Sequence, residues 1–449
     1  MPEQPLSPVA NFLAQHSDIS IVELLMCDLN GILRGKWAPA SSLEKAFSEG
    51  INFPYSLFGN DVWGREVMST GLHIDTGDKD GFCIGIAHTL ARSGFGVKNA
   101  AQLMLTMQDQ DGKPFYADPR QLLQRQIDLL SQQNELTACA AFELEFYLFD
   151  IGASDTEAPK PVDQKPSGPV RQDMYDLNAL ERHAPLFEQI IEAAKLQDIP
   201  VDTIVSEAAP GQFEVNLKHR SDIMRAADDA VLLRRIISSC AKEHGLKASF
   251  MAKPLADEPG NGMHVHISML DSDGGNIFAA DNGLNLLHYA IAGTLQSMAE
   301  TALVFANTIN GFRRFQPGSY APTRAVWGDD NRSVAVRVPA GAKNARRLEH
   351  RISGADANPY LVAATILAAM RTGLEAKANP PAAVTANAYD EDTDRLPSSA
   401  GEALRLFAAS RFAAEVFTPL GHRVFCAIKQ AELDEFTTEI TPLERSTYA

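Results

Sequence analysis

The sequence predicts an α+β protein with more than one domain, and three observations support this prediction. The chain has 449 residues, which is too long for one simple hydrophobic core. Four stretches alternate apolar and polar residues with a period of two, which is typical of strands with one buried face. Apolar residues elsewhere recur at helical spacing, and they predict helices at 184–198, 221–243 and 357–378.

The N-terminal part begins with a predicted pair of strands. Residues 19–36, ISIVELLMCDLNGILRGK, contain two apolar runs on either side of a turn signal at 28–31. A helix is predicted at 117–133, with Asp118 as its N-cap and Pro119 at its first position.

We place a domain boundary between these elements, which gives domains 1–112 and 113–449. Within the second domain, segment 151–172 is rich in Pro, Gly and Ser and predicts a surface excursion. Residues 385–398 predict an acidic loop, and a helical tail is predicted from about 399 to 436.

The charge and the cysteines disfavour several classes of protein. A formal net charge of −17 disfavours a nucleic-acid partner and favours, weakly, a small cationic substrate. We find no secretory signal and no apolar run that approaches the roughly 20 residues of a membrane helix. The five dispersed cysteines, without a CxxC motif, predict reduced thiols in a cytoplasmic protein and argue against a cysteine zinc site.

The four predicted strands, AAFELEFYLFD, GQFEVNLKH, GMHVHISML and RRLEHRI, each carry polar or charged side chains on one face. The residues on these faces whose side chains can take part in binding or catalysis are Glu143, Glu145, Glu214, His264, His266, Ser268, Arg347, Glu349 and Arg351. A single strand of this kind is explained by a solvated polar face. A solvated face usually also contains Lys, Thr and Gln, so the four strands together predict one shared site.

This set of side chains favours metal-assisted chemistry on phosphate. Several carboxylates in one cleft repel one another unless a cation neutralises them, and oxygen ligands with one imidazole suit Mg²⁺ or Mn²⁺. Neighbouring arginines suit phosphate or carboxylate, which they hold in a bidentate way. The combination predicts phosphoryl transfer. No GxxxxGK[ST] or GxGxxG motif is present, which argues against a P-loop or Rossmann site.

The motifs that carry these residues resemble the glutamine synthetase family over nearly the whole chain. They include DLNGILRGK, FELEFYLFD, SEAAPGQFEVN, FMAKPLADEPGNGMHVHIS, NGFRRFQPGSYAP, DNRSVAVRVP, ARRLEHR and ANPYL, in the family's order and spacing. The resemblance implies an N-terminal β-grasp domain and a catalytic domain in which antiparallel strands form a bifunnel flanked by helices. It also implies a dodecamer of two hexameric rings, in which a neighbour's N-terminal domain closes each site.

The resemblance also implies roles for individual residues. The family's ligands of the first metal match Glu145, Glu207 and Glu214, and those of the second match Glu143, His264 and Glu349. The phosphate-handling and nucleotide positions match His266, Ser268, Arg332, Arg337 and Arg347. The positions that hold glutamate or its activated carboxyl match Gly260, Arg314 and Arg351. For His266 and Arg347, a structural role behind the ligands is the alternative.

Two segments depart from the members that use ammonia. The stretch FPYSLFGNDVWG, residues 53–64, lacks the Asp-Gly-Ser-Ser that binds ammonium in those members. Their Pro-Gly-Tyr-Glu-Ala-Pro flap reads PGSYAP here, so Tyr320 stands at the position of the flap glutamate. This flap, followed by WGDDNRS, resembles the γ-glutamylpolyamine synthetase branch.

These departures lead to a hypothesis for the amine site. Aromatic lining is expected from Phe58, Trp63, Tyr320 and Trp327, and a distal ammonium would meet Asp61, Asp329 or Asp330. The alternative is that the aromatic residues only pack a subunit contact. For the base that accepts the amine proton, Glu207 is the first choice and Asp61 the second. We interpret Tyr389, which lies near the modified tyrosine of some bacterial members, as an unmodified loop residue.

The resemblance implies an ATP-dependent ligase that joins the γ-carboxyl of glutamate to a primary amine through γ-glutamyl phosphate. Putrescine, cadaverine and spermidine are the expected amines, in polyamine catabolism. The alternatives are a glutamine synthetase that uses ammonia and a ligase for a monoamine such as ethanolamine or methylamine. A non-catalytic assembly protein is a third alternative, but all six metal-ligand positions are filled.

Overall fold

The computed structural model describes residues 8–151, 160–163 and 172–448, so most of the excursion predicted at 151–172 lies outside the described residues. The N-terminal part forms a six-stranded sheet. Its strands are β1 Ile21–Cys27, β2 Leu33–Pro39, β3 Ile51–Pro54, β4 Asp80–Gly85, β5 Ala91–Arg92 and β6 Ala100–Gln108. The order is β2-β1-β6-β4-β3, with β5 also on β6; β1 and β6 are parallel and the other pairs antiparallel.

The predicted strand–turn–strand at 19–36 is present, and its turn is built by Asp28. The Asp28 carboxylate accepts hydrogen bonds from the backbone N–H groups of Asn30 and Ile32, each at 2.9 Å. Gly31 follows with φ of 77°, in the left-handed region where a glycine has no Cβ penalty. The side chain and the glycine together reverse the chain within four residues.

The C-terminal part contains an eight-stranded sheet. Its strands are β7 Thr137–Asp150, β8 Val201–Ser206, β9 Gln212–Leu217, β10 Leu246–Ser249, β11 Met263–Leu270, β12 Trp327–Asp329, β13 Val336–Val338 and β14 Leu348–His350. The order is β12-β13-β14-β11-β7-β9-β8, with β10 also on β7, and only β12 and β13 are parallel. The four strands predicted to share a site are therefore neighbours.

The described residues also form helices, in both parts of the chain. They are α1 Pro8–Gln15, α2 Leu43–Ser48, α3 Pro119–Asn134, α4 Leu177–Arg182, α5 Ala184–Leu196, α6 Ile223–Glu243, α7 Gly283–Met298, α8 Ala302–Phe305, α9 Ile309–Phe312, α10 Pro359–Ala376, α11 Ala400–Ala409, α12 Arg411–Thr438 and α13 Pro442–Tyr448. The predicted helices at 117–133, 184–198, 221–243 and 357–378 correspond to α3, α5, α6 and α10 within two residues at each end. Asp118 caps α3 as predicted, because its side chain accepts from the backbone N–H of Arg120 at 2.9 Å.

The tail predicted as one helix from 399 to 436 is divided. It forms α11 and α12, and α12 itself is kinked because Thr418 has φ of 62° and Pro419 follows it. Residues 385–398 form no α-helix or strand, in agreement with the predicted loop.

The core lies between the helices and the apolar faces of the strands. Phe142, Leu144 and Phe146 of β7 are fully buried, and α10 is buried along most of its length. The opposite face of β7 is thereby left for Glu143 and Glu145, as the period of two predicts. All five cysteines are free, and within the described residues no helix is both long and apolar enough to span a bilayer. The division at residues 112 and 113 stays a prediction; it falls between β6 and α3.

Candidate active site

Strand register brings five of the six predicted metal ligands onto one surface. His264 of β11 pairs directly with Glu143 of β7, and Glu145 of β7 pairs with Glu214 of β9. On the other side of β11, His266 pairs with Glu349 of β14. Directly paired residues of antiparallel strands project to the same face with Cβ atoms about 5 Å apart. Four separate sequence motifs thus converge on one cluster.

Glu143 is the centre of this cluster. One of its oxygens lies 3.1 Å from Nδ1 of His264, and the other accepts from Nε2 of His266 at 2.8 Å. Burial would raise the pKa of Glu143, but the hydrogen bonds from both histidines outweigh it and hold the pKa well below its usual value. The carboxylate is therefore ionised at neutral pH.

Among the described residues, two groups of side chains have the spacing of a metal site. Glu143, Glu214 and His264 form one group, and Glu143, His266 and Glu349 form the other, with potential ligand atoms within 4.8 Å in each. The grouping differs from the sets that the family resemblance implied, because Glu143 belongs to both groups and His266 replaces His264 in one. Glu145 lies at the edge, with one oxygen 4.0 Å from Nε2 of His264.

The carboxylates near β9 repel one another when no cation lies between them. Burial, the larger effect, and the charge of Glu145 together raise the pKa of Glu207 to about 7. Burial and the charges of Glu143 and Glu145 raise the pKa of Glu214 well above its usual value. A divalent cation would remove both penalties, so the donor set fits a metal ion.

Arginines hold the opposite side of the cluster. Nη1 of Arg337 donates to Glu349 at 2.8 Å, and Arg351 forms a second ion pair with the same carboxylate. Burial opposes ionisation of Glu349, but the charge of Arg351 and the neighbouring histidines lower its pKa to about 2. Arg337 also pairs with Asp330. Glu349 is thus an ionised group with fixed orientation.

His266 is held from behind by an arginine. Nε of Arg347 donates to Nδ1 of His266 at 3.0 Å. The ring of His219 lies 6.0 Å away, centroid to centroid, in an edge arrangement. His219 is a residue that the sequence reasoning missed, although it lies two positions beyond the strand that carries Glu214.

A tight loop lies beside Arg314 at the other end of the cluster. A Cβ added at Gly260 would lie 2.4 Å from the carbonyl oxygen of Ala252 and 2.9 Å from Cγ of Arg314. Arg314 is buried and donates to the carbonyl of Ile352 at 2.9 Å. The loop therefore approaches the arginine so closely that only glycine fits at this position.

Gly262 of this loop and Gln212, which contacts it, were missed by the sequence reasoning. The backbone N–H of Gly262 donates to Glu145 at 2.6 Å. The Gln212 side chain donates to the carbonyl of Gly260 and to Asn261, each at 3.1 Å. Gln212 precedes Glu214 by two positions on the same strand face, so the period of two was a signal for it.

The flap, residues 317–322, is exposed at its tip. Tyr320 is 69% exposed and has φ of 57°, a left-handed conformation that is uncommon for a residue with an aromatic side chain. Ala321 and Pro322 behind it are buried. Arg332, predicted to handle phosphate, is exposed, whereas Ser268 is buried on β11 opposite Cys139.

Two of the aromatic residues predicted for the amine site belong to the core instead. Phe58 is 1% exposed and packs on Phe115 with ring centroids 5.6 Å apart. Trp327 is 5% exposed, and its indole N–H donates to the carbonyl of Pro381 at 2.7 Å. Their side chains are enclosed by their own chain, so we do not include them in the amine site.

Asp61 and Trp63 lie on the N-terminal part, against α12. The Asp61 carboxylate is buried and accepts from the backbone N–H groups of Trp63 and Arg65 and from the Arg65 guanidinium, at 2.8 to 2.9 Å. Trp63 is half exposed and packs on Phe436 at 5.5 Å. In the described contacts of this chain, neither residue touches the cluster around Glu143.

A cavity of about 1340 Å³ lies apart from this cluster, between β2, α6 and α12. Arg313, to which we assign no role in the site, lines it together with Lys253 and Lys429. None of the predicted metal ligands lines this cavity, so its size does not make it the active site; the converging ionisable groups locate the chemistry elsewhere.

Residues 116–448 match the model of the glutamine synthetase catalytic domain. The chain belongs to the glutamine synthetase family. This membership confirms the predicted family, and with it the fold class and the class of ATP-dependent C–N ligases. Members of this family use ATP and divalent metal ions, which agrees with the acidic and imidazole groups found around Glu143.

Individual relatives of this glutamine synthetase-family chain extend over almost its full length. It is 38% identical to gamma-glutamylputrescine synthetase PuuA of Escherichia coli K12, over 97% of the chain and 93% of that protein. It is 33% identical to a glutamine synthetase of Mycobacterium bovis, over 97% of each. It is 32% identical to glutamate–isopropylamine ligase of a Pseudomonas species, over 91% of the chain and 90% of that protein.

Solved structures show the same architecture. The GmaS/ADP complex superposes with a TM-score of 0.86 at 25% identity and covers 99% of both chains. The family-level interpretation of the two sheets and their helices therefore rests on both sequence and shape.

Proposed function

We propose that this chain is an ATP-dependent ligase that joins the γ-carboxyl of glutamate to a primary amine with a carbon chain, such as putrescine, cadaverine or spermidine. The observation that carries the proposal is Tyr320, which is exposed on the flap where ammonia-using members carry a glutamate. An aromatic ring favours methylene groups and an ammonium over its face, whereas a carboxylate favours the small cation itself. Relatives named for putrescine and for isopropylamine support this choice.

Two or more Mg²⁺ or Mn²⁺ ions would be held by the carboxylates and imidazoles around Glu143. The proposed ligands are Glu143, Glu145, Glu207, Glu214, His264 and Glu349. When bound, such ions offset the negative charge of the ATP phosphates. The two groups with ligand spacing and the raised pKa values of Glu207 and Glu214 support the proposal.

The arginines would position the two anionic substrates. Arg314, beside Gly260, and Arg351 would hold glutamate, so that its γ-carboxylate faces the terminal phosphate of ATP. Arg332, Arg337 and Arg347 would stabilise the phosphoryl group in transfer, with His266 and Ser268 beside the nucleotide. A γ-carboxylate oxygen then attacks the γ-phosphorus, the bond to the β–γ bridging oxygen breaks, and ADP leaves.

The amine must lose a proton before it attacks γ-glutamyl phosphate. A primary amine with a pKa near that of lysine, about 10.4, is almost wholly protonated at neutral pH. We propose Glu207 as the acceptor, because burial and the nearby charge of Glu145 raise its pKa to about 7, which suits a group that takes up a proton at neutral pH. The neutral nitrogen attacks the acyl carbon, the C–O bond to phosphate breaks, and the amide and phosphate are formed.

Trp63 and Tyr320 remain the proposed aromatic contacts of the amine, and Asp329 or Asp330 the contact of its distal ammonium. Asp329 is exposed and forms no ion pair among the described residues, whereas Asp330 is paired with Arg337. Asp329 is therefore the better placed of the two. Asp61 stays our second choice as the base, although its carboxylate is occupied by Arg65.

The quaternary arrangement also remains a proposal. A dodecamer of two hexameric rings would bring Asp61 and Trp63 of one subunit to the site of its neighbour. This arrangement would explain why these two residues do not reach the Glu143 cluster of their own chain. A cytoplasmic location is likewise proposed on the reduced cysteines.

The test is phosphate release from ATP, Mg²⁺ and glutamate with ammonium, methylamine, ethanolamine, isopropylamine, putrescine, cadaverine or spermidine, together with mass detection of the amide. We expect the highest kcat/KM with an amine that carries at least three carbons. Preference for ammonium would identify a glutamine synthetase instead. No amide with any amine would favour a non-catalytic assembly protein.

A further inference from the structure

The loop predicted as an acidic surface loop is tied to the flap. We call residues 384–396 the clasp loop. Its backbone N–H at Leu396 donates to the carbonyl of Thr323 at 2.9 Å, and Arg324 donates to the carbonyl of Thr393. The two segments are 68 or more residues apart in sequence, so the contact is tertiary. The C-terminal end of the flap is therefore fixed to the clasp loop.

One side chain of the clasp loop reaches the flap itself. The hydroxyl of Tyr389 donates to the carbonyl of Ala321 at 3.0 Å. Asn387 accepts from the backbone N–H of Tyr389 at 3.2 Å and fixes the start of this turn. The tyrosine is partly buried, and burial raises the pKa of its hydroxyl, so it keeps its proton at neutral pH and remains a donor.

The flap backbone is strained at the residue next to the one that accepts this bond. Tyr320, directly before Ala321, has φ of 57°, a left-handed conformation that is strained for a residue with a side chain. Gly318 also has a positive φ, of 76°. A short segment with two left-handed residues persists only when its surroundings hold it. Tyr389 supplies one such contact, from a side chain outside the flap.

The other end of the clasp loop is bonded to residues 330–335, the loop that carries Arg332, which we call the arginine loop. The Ser333 hydroxyl accepts from the backbone N–H of Ala388 at 3.0 Å. The Asn331 side chain donates to the carbonyls of Val384 and Ala386, at 3.0 and 2.8 Å. One loop thus spans the flap, on the amine side, and the arginine loop, on the phosphate side.

We propose that Tyr389 is a positioning residue that holds the flap closed over the activated glutamate, and that the clasp loop sets the flap relative to Arg332. The proposal rests on the proposed function. Its consequence concerns water: with the flap loose, a water oxygen attacks the acyl carbon of γ-glutamyl phosphate in place of the amine. The C–O bond to phosphate breaks, and glutamate and phosphate result, so that ATP is consumed without amide.

The experiment measures phosphate released and γ-glutamyl amide formed in the same reaction, with the best amine of the screen. For the wild type we expect a ratio near one. Tyr389→Phe removes only the hydroxyl, and we expect about a three- to tenfold rise in phosphate released without amide, in line with the loss of one hydrogen bond. The amine KM should rise with it, whereas the KM for ATP stays unchanged.

Tyr289→Phe is the matched control, because Tyr289 on α7 has no side-chain hydrogen bond among the described residues. A Tyr389→Phe variant that forms amide and phosphate in the wild-type ratio, at the wild-type amine KM, would overturn the proposal. A wild type that forms no amide with any amine would instead overturn the proposed function. A uniform fall in kcat with unchanged coupling would also count against Tyr389 as a positioning residue, since that result marks a general structural effect.

Discussion

Arg347 donates to Nδ1 of His266 at a distance of 3.0 Å. Because Nδ1 accepts this bond, the ring proton of the neutral histidine lies on Nε2, which donates to Glu143 at 2.8 Å. Arg347 therefore fixes both the orientation of the ring and its tautomer. Through the ring it also orients Glu143, the residue shared by both groups with metal-ligand spacing.

The first prediction tests this chain of contacts. Arg347→Ala should lower the affinity for Mg²⁺ by about 10- to 100-fold, because the ring that orients Glu143, a proposed metal ligand, is no longer held. Isothermal titration calorimetry with Mg²⁺ measures the effect directly. Arg346→Ala is the control, because Arg346 donates to the carbonyl of Phe278 and not to His266. Equal Mg²⁺ affinities of the two variants would contradict the role given to Arg347.

The second prediction concerns pH and metal binding. In the absence of a cation, burial and the charge of Glu145 raise the pKa of Glu207 to about 7, so this carboxyl is partly protonated at neutral pH. As a proposed ligand of Mg²⁺, Glu207 has to be ionised, and we therefore expect proton release and an affinity that rises up to about tenfold per pH unit between pH 6 and 7 for each proton displaced. Calorimetry in two buffers of different ionisation enthalpy gives the number of protons.

The same shift determines how stability changes with pH. The folded pKa of Glu207 lies above its unfolded value, so its contribution to stability is fully present below the unfolded pKa and is lost as the pH rises through about 7. In EDTA, the wild type should lose stability relative to Glu207→Gln between pH 5 and 8, and Mg²⁺ should reverse the trend. Melting curves at each pH measure this difference. If the wild type becomes more stable relative to the variant as the pH rises, the raised pKa of Glu207 is contradicted.

The third prediction concerns Tyr320. Tyr320→Glu should lower kcat/KM for putrescine about tenfold, because the ring that we propose packs against the methylene groups is lost. It should raise kcat/KM for ammonium, because a carboxylate returns to the flap. Tyr320→Phe keeps the ring and serves as the control. If the glutamate variant keeps the amine preference of the wild type, Tyr320 does not contact the amine.

The fourth prediction concerns the glutamate end of the site. In Gly260→Ala the new methyl would lie 2.4 Å from the carbonyl oxygen of Ala252, which is backbone and cannot turn away. The loop must shift and take Arg314 with it, so we expect the glutamate KM to rise at least tenfold with little change in the ATP KM. Gly341→Ala is the control, since a methyl there meets nothing closer than 3.9 Å. Unchanged glutamate kinetics would remove Gly260 from the site.

The strand faces were predictable because their signal is local. Alternation with a period of two identifies Glu143 and His264 as residues of polar strand faces without knowledge of the fold. Which strands are neighbours, and in which register, depends on contacts distant in sequence. The sharing of Glu143 between two groups, and the placement of His266 rather than His264 in one of them, follow from that register.

Phe58 and Trp327 show where the local signal ends. An aromatic residue beside a functional motif has the same sequence appearance whether it lines a pocket or fills the core. Phe115, which covers Phe58, and Pro381, which accepts from Trp327, are both more than 50 residues away. The bond from Tyr389 to Ala321 was beyond prediction for the same reason, because it connects residues 68 positions apart.

The contacts between α12 and the N-terminal part restrict how this enzyme can be recombined with its relatives. Lys429 donates to Asn30 at 2.6 Å and pairs with Glu432, which in turn accepts from the backbone N–H of Val62 at 2.9 Å. A chimera that takes only its first hundred residues from a relative with a different amine would leave Lys429 buried against a foreign partner, at a cost of several kcal/mol if no acceptor replaces Asn30. A graft intended to exchange the amine preference must therefore transfer α12 together with the N-terminal sheet.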